Sequence, residues 1–322
     1  MDPSRNFYEG KLVLVAGGTG MVGSYLVIHL LNLGAHVRIP IHVRPLTIKH
    51  NRVEAVKANL LQMEDCIRVT KGVDIVCNAA AVVGGVLRNK LQPAEIYTVN
   101  ILLHTQLLEA SRINDVERFL LVSNNGVYPP MTRPSREEEA WDGKPDESVQ
   151  AYGWVKRMAE FQAAMYAKQY GMKIAIGRGT NSYGNWDNFD PDTSHVIPAL
   201  IRKAVCRCDP FVIWGTGENV RDFIHASDLA RGMLLLVEKY AVCDPVNLAT
   251  GKPVTIKELA ELILKIAGHK ANIIFDYTKP GGQPIKLIDT SKAKRLFNFE
   301  PRVSLEDGLR QTIAWFKENY SV

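Results

Sequence analysis

The chain has 322 residues, 46% of them hydrophobic and 23% charged, with a net charge of +5. That length can bury a large core, the modest and scattered positive charge argues against a nucleic-acid surface, and no run reaches membrane-spanning length. The opening Met1 to Asn6 carries no apolar leader and leads directly to a first strand, which points to the cytoplasm. In chain order the apolar patterns predict a strand over Leu12 to Ala16, a helix from about Met21 to Leu33 and a strand over Val37 to Val43. Next come a strand over Asp74 to Ala81, a helix around Ile96 to Ile113 and a strand over Phe119 to Val122. A helix from Tyr152 to about Tyr170 then precedes a strand over Lys173 to Gly177. This alternation predicts an α/β fold, a Rossmann-type doubly wound parallel sheet covered on both faces. From Asn181 the texture changes to turn formers and aromatics, and helical patterns return at Ile197 to Ala204, Ala226 to Glu238, Ile256 to Ala267 and Leu305 to Asn319. Residues 1–180, with about 223–252, are therefore assigned to a dinucleotide-binding domain, and about 181–222 with 253–322 to a smaller C-terminal lobe.

The first strand empties into glycines spaced Gly17-x-x-Gly20-x-x-Gly23. The first lets the chain turn off the strand, the second lets a pyrophosphate approach the backbone, and the third lets the next helix lie close to the sheet. Strand two ends Ile39-Pro40-Ile41-His42-Val43-Arg44, with no carboxylate to bond the adenosine ribose of NAD. A 2′-phosphate needs a cation, so NADP is expected, with NAD as the alternative; Arg44 is the first contact and His42 the second. The competing reading of Arg44 is a solvated loop residue.

Tyr152 and Lys156 lie four apart and share one helical face. An ammonium beside a phenol lowers the phenol pKa, and the phenol can pass its proton to a reduced carbonyl oxygen. Such a pair also occurs by chance on amphipathic helices. The five cysteines, Cys66, Cys77, Cys206, Cys208 and Cys243, show no paired metal-ligand spacing, so reduced thiols and no metal site are expected.

The order of glycine loop, Asn78-Ala79-Ala80-Ala81, Ser123, Tyr152-x-x-x-Lys156 and Arg221-Asp222-Phe223-Ile224-His225 resembles the extended short-chain dehydrogenase/reductases, the NAD-dependent epimerase/dehydratase family. Within it, Val83-Gly84-Gly85, the stretch Asp187 to Leu200, Val212 to Gly217 and Pro284 to Asp289 are similar to the GDP-L-fucose synthases. The resemblance implies cofactor contacts at Gly17, Gly20, Met21, Val22, Arg44, Asn59, Leu60, Ala79, Ala80, Ala81, Tyr152 and Lys156. It implies nucleotide-sugar contacts at Asn181, His195, Val196, Lys203, Trp214, Arg221 and Lys286. Arg and Lys can neutralise a diphosphate, and Trp offers a flat face. Arg221 has a second reading as a structural ion pair, Lys203 as an exposed helix lysine, and His195 as a packed polar residue.

Two positions depart from the family pattern. Counting back from Tyr128, the catalytic Ser/Thr position holds Asn124, which can donate to a keto oxygen but supplies no hydroxyl; a register shift bringing in Ser123 is the alternative. Gly126 stands where the fucose synthases place a Cys that works with a histidine, matched here by His195, at C3 and C5. The resemblance thus implies an NADPH-dependent reductase of a nucleotide-linked 4-keto-6-deoxy sugar, GDP-linked, with Tyr152, Lys156 and Asn124 catalytic and without full 3,5-epimerisation. The alternatives are a 4-epimerase or dehydratase that retains NAD, and a non-catalytic dinucleotide-binding protein. A homodimer through Ile96 to Ile113 and Tyr152 to Tyr170 is also implied.

Overall fold

The structure, a computed structural model, describes residues 5–84, 86–279 and 281–320; Met1 to Ser4 and Gly85 of the sequence motifs lie outside them. Its first part runs α1 (Arg5–Tyr8), β1 (Leu12–Ala16), α2 (Met21–Asn32), β2 (His36–Ile41), β3 (Val53–Lys57), α3 (Met63–Thr70) and β4 (Ile75–Asn78). Then follow α4 (Val86–Leu91), α5 (Pro93–Ile113), β5 (Arg118–Asn124), α6 (Gln150–Tyr170), β6 (Lys173–Gly179) and β7 (Asn181–Tyr183). The remainder is α7 (Val196–Val205), β8 (Phe211–Trp214), β9 (Val220–His225), α8 (Ala226–Lys239), β10 (Val246–Leu248), β11 (Pro253–Thr255) and α9 (Ile256–Ala267), closing with β12 (Ile273–Asp276), β13 (Ile285–Lys286), α10 (Ser291–Phe297) and α11 (Leu305–Asn319).

Seven parallel strands form one sheet in the order β10-β6-β5-β4-β1-β2-β3. Because successive strand side chains point to opposite faces, Val13 and Val15 of β1 enter one buried cluster with α2 and α8, while Leu14 and Ala16 enter another with α3, α5 and α6. Both faces are thus covered, as an all-parallel sheet requires. A second sheet is built on β9, which pairs with β7, β11 and β13, and β8 pairs with β12. Helices α7, α9 and α11 pack here around Ile201, Leu259, Ile263 and Leu309. The two C-terminal helices are cleanly delimited: Thr255 and Glu258 form a reciprocal cap at the start of α9, Gly268 ends it at φ 62°, and Ser304 caps α11.

Several expectations need correction. A short helix, α1, precedes the first strand, and β3 and α3 fall where no element was expected. Asn181–Tyr183 is a strand instead of a loop, and the expected division near residue 222 falls inside β9. The strand expected to reach Val43 ends at Ile41, so Arg44 lies in the loop beyond it. All five cysteines are free thiols, and Cys66, expected on a connector, sits buried on α3.

Candidate active site

The cofactor positions gather at the carboxyl edge of the parallel sheet, where ligands of open α/β sheets bind. Gly17 and Gly20 follow β1, Asn59 and Leu60 follow β3, and Ala79, Ala80 and Ala81 follow β4. Gly17 adopts φ 78°, and a Cβ there would meet the Ala79 carbonyl oxygen at 2.7 Å. A Cβ on Gly23 would collide with the Gly17 backbone, so the helix lies against the turn only because position 23 is glycine. Gly20, by contrast, has only the Gly17 oxygen nearby, at 3.4 Å. That leaves an open backbone face just ahead of Met21 and Val22, the first residues of α2, whose unpaired N–H groups suit an anion. Asn59 is fixed by its N–H to Asp65 at 2.7 Å and by its side chain accepting from Leu61 N at 3.1 Å. These features fit a nicotinamide dinucleotide.

Arg44 is exposed. The loop that carries it neighbours a segment from the other lobe: Trp186, in the left-handed region at φ 63°, lies edge-on to Tyr25 and, like Leu46 and Ile48, packs against the cluster that α2 builds on the sheet. Half-buried Asp187 follows, pushed up to about 7 by burial with the Arg44 charge opposing. No local pattern marks this carboxylate as a neighbour of the Arg44 loop, because Asp187 lies 143 positions beyond Arg44.

The catalytic candidates meet where α6 crosses the end of β5. Lys156 is 8% exposed, donates from Nζ to the Val122 carbonyl at 2.7 Å and lies 5.3 Å from the Tyr152 ring centroid. Burial lowers Lys156 to about 8, with Glu160 opposing. The expected lowering of the Tyr152 phenol is not found: burial raises it, which keeps the phenol protonated and makes it a weaker acid.

Asn124 caps the 3₁₀ turn Asn125–Val127, its side-chain oxygen accepting from Gly126 N at 2.9 Å. With that oxygen occupied, the Nδ2 protons are available, and no acceptor is bonded to them among the described residues. The alternative register is contradicted, because buried Ser123 donates to Glu160 at 2.5 Å and is turned away from this role. Sequence reasoning missed Gly153. A Cβ there would collide with the Gly126 carbonyl, so a helix-interior glycine between Tyr152 and Lys156 lets α6 seat against the catalytic turn.

In the second lobe Arg221 and Lys286 are register partners on β9 and β13. Arg221 donates to carbonyls, Val220 at 2.8 Å and Pro284 at 3.3 Å, and makes no salt bridge among the described residues, which corrects the ion-pair reading. Burial and then the Arg221 charge lower Lys286 to about 8, with Asp146 opposing, and Arg221 is lowered by burial against the same Asp146. His195, at the cap of α7 just before Val196, is exposed, and partial loss of solvent around its ring and then the Lys286 charge lower its pKa. Asn181 donates to the Asp222 carbonyl at 3.0 Å. Lys203 is half-buried and bonded to the Val212 carbonyl at 2.7 Å, so it is not a free surface lysine. Trp214 is 44% exposed at the end of β8 with the Lys279 ammonium 5.8 Å above its ring. Lys286 also lines a cavity with Asn125, Tyr128 and Gln283, joining this set to the catalytic turn.

The chain belongs to the NAD dependent epimerase/dehydratase family, whose model matches residues 13–249. It is an enzyme, an NAD(P)-dependent nucleotide-sugar oxidoreductase/epimerase of the extended short-chain dehydrogenase/reductase type. It is 33% identical to the probable GDP-L-fucose synthase 1 of Oryza sativa subsp. japonica, over 99% of this chain and 96% of that protein. With the GDP-L-fucose synthase of Escherichia coli K12 it shares 32% identity over 95% and 97%. Among solved structures the epimerase Mth375 of Methanothermobacter thermautotrophicus superposes with a TM-score of 0.89 at 28% identity, covering 98% of this chain and 95% of that one.

Proposed function

We propose that the protein is an NADPH-dependent reductase of a nucleotide-linked 4-keto-6-deoxy sugar, GDP-linked as in the fucose synthases, that does not carry out the full 3,5-epimerisation. The observation that carries this reading is the turn Asn124–Val127, which bears no titratable side chain although Tyr152 and Lys156 stand intact beside it. Inverting a carbon next to a ketone takes a base on one face and an acid on the other. His195 supplies one group, and Gly126 supplies none. Cys66 and Cys77 cannot substitute, being buried on α3 and β4 with thiols pushed up to about 12.

Gly17, Gly20, Met21 and Val22 would hold the dinucleotide, which would supply the hydride for reduction at the sugar C4. Tyr152 gives its proton to O4, the Asn124 amide donates to the same oxygen, and Lys156 holds the cofactor ribose and the charge next to the phenol. Arg221, Lys286 and Lys203, with Asn181 and Val196 beside them and Trp214 against the nucleoside, take the nucleotide diphosphate. His195 contacts the sugar. Arg44 takes the 2′-phosphate. Exposed apolar side chains on the packed helices α5 and α6, among them Leu102, Ile113, Phe161 and Met165, support a homodimer. The test is turnover of GDP-4-keto-6-deoxy-mannose with NADPH in heavy water, with the product followed by NMR. Reduction at C4 with C3 and C5 unlabelled by the enzyme is expected, and enzyme-dependent deuterium at both carbons would overturn the reductase-only reading.

A further inference from the structure

Three consecutive residues at the end of β5 are each fastened. Lys156 holds the Val122 carbonyl, Glu160 accepts the Ser123 hydroxyl, and Asn124 accepts from Gly126. The first two anchors come from α6, whose Tyr152, Lys156 and Glu160 follow one another at four-residue spacing along one face. Glu160 is itself gripped by Arg178 of β6, through Nε at 3.0 Å and Nη2 at 2.6 Å, and the two side chains are 6% and 2% exposed. Arg178 also donates to the Tyr128 hydroxyl at 2.9 Å, which donates to Asn247 at 2.6 Å. A buried ion pair adds little stability over apolar side chains of the same volume. Its place directly behind the proton donor therefore asks for another role.

We propose that Glu160 is a positioning residue for the reaction, whose carboxylate draws Ser123 out of the catalytic position so that Asn124 occupies it and keeps the neighbouring Lys156 in its ammonium form. Lys156 is buried, and Glu160, one turn further along the same face of α6, is the charge that favours its ammonium form, while burial and the Lys156 charge lower His104 on α5. Around Glu160 stand Arg178 on β6, Arg157 on α6, Tyr128 after the turn and Cys243 before β10. Arg178 cannot replace Glu160, since a cation would drive the ammonium toward its neutral form. One side chain serves both tasks because Glu160 takes the strand hydroxyl directly while standing one helical turn from the buried lysine.

The inference rests on Tyr152 and Lys156 being the catalytic pair. Its test follows the ¹³Cε resonance of Lys156, assigned by its loss in Lys156→Arg, through a pH titration of the full chain. In Glu160→Gln the midpoint falls by about one pH unit. Glu160→Gln/Arg178→Met removes both buried charges and serves if the single variant does not fold; its midpoint also falls, by less than in Glu160→Gln, because losing the Arg178 cation favours the ammonium. Ser123→Ala leaves the midpoint in place, yet lowers NADPH turnover with GDP-4-keto-6-deoxy-mannose about tenfold through misplacement of Asn124. An unchanged midpoint in a folded Glu160 variant overturns the inference, as does full turnover in Ser123→Ala. Full activity in Tyr152→Phe would sink the catalytic pair instead, and a wild type inert toward this sugar would sink the sugar assignment while the titration still decides the role of Glu160.

Discussion

The two ends of the cleft hold their charges in opposite ways. At the catalytic end each charged group has a dedicated partner: Lys156 has the Val122 carbonyl, and Glu160 has Ser123 and Arg178. At the proposed nucleotide end Arg221 and Lys286 sit side by side on adjacent strands, Arg221 bonded to carbonyls, and the Lys286 ammonium is disfavoured by burial and then by its neighbour's charge. Groups held by fixed partners are pre-aimed for one geometry, whereas two crowded cations gain from an incoming anion. On the proposed assignment, the chemistry is built into the sheet edge, while the two crowded cations of the second lobe would gain from an incoming diphosphate.

The largest break in this contrast is Tyr152→Phe. The ring still packs and only the transferable proton is removed, so turnover should fall by roughly 10² to 10⁴ with cofactor binding retained. Steady-state rates beside a cofactor titration check it, and a loss below tenfold would move the acid to another group.

Arg221→Met comes next and acts on the other end. Losing charge-assisted bonds to a diphosphate should raise KM for the nucleotide sugar by about 10- to 100-fold with a smaller change in kcat. The pH profile sharpens this. Lys156 and Lys286 are both lowered to about 8, hence charged below that pH and neutral above it, so kcat/KM should fall as pH rises through 8. Removing the Arg221 charge should move the Lys286 contribution upward, and a profile unchanged in Arg221→Met would show that the two cations are not coupled.

How much of this was legible in the sequence differs between the same two ends. The glycine turn and Tyr152 with Lys156 are local patterns, and local spacing fixes what they can do. The long helices of the second lobe were equally plain, since α9 and α11 carry caps as well as periodicity. The short strands β11 and β13 carry no period at three and two residues, and edge strand β3 is mostly exposed. The Ser123–Glu160 bond joins residues 37 apart, so only the fold could decide between Ser123 and Asn124. Gly153 was readable in principle, because a glycine inside a helix marks a close approach, although its partner at Gly126 was not.

Arg44→Ala tests a weaker contact. An exposed cation is screened by solvent, so the KM for NADPH should rise only about fivefold, with that for NADH unchanged. Equal changes for both dinucleotides would make Arg44 a solvated loop residue, and a wild-type preference for NADH would remove the case for NADP altogether.

The smallest effect is expected at Gly126, where the two departures from the family touch. A Cβ at this position would lie 3.0 Å from the Asn124 side-chain oxygen, tight enough that the amide must shift by a few tenths of an ångström. Gly126→Ala should therefore lower turnover by about two- to fivefold through the misplaced Asn124 donor, while Tyr152 and Lys156 keep their geometry. Because a methyl group neither accepts nor gives a proton, label at C3 and C5 should stay as in the wild type. In Asn124→Ser/Gly126→Ala the shorter hydroxyl withdraws from the added methyl, so the two changes should couple, with the double variant less impaired than the product of the singles predicts. Turnover rates of the four proteins close that cycle, and strictly multiplicative losses would mean that Asn124 and Gly126 are independent features of the turn.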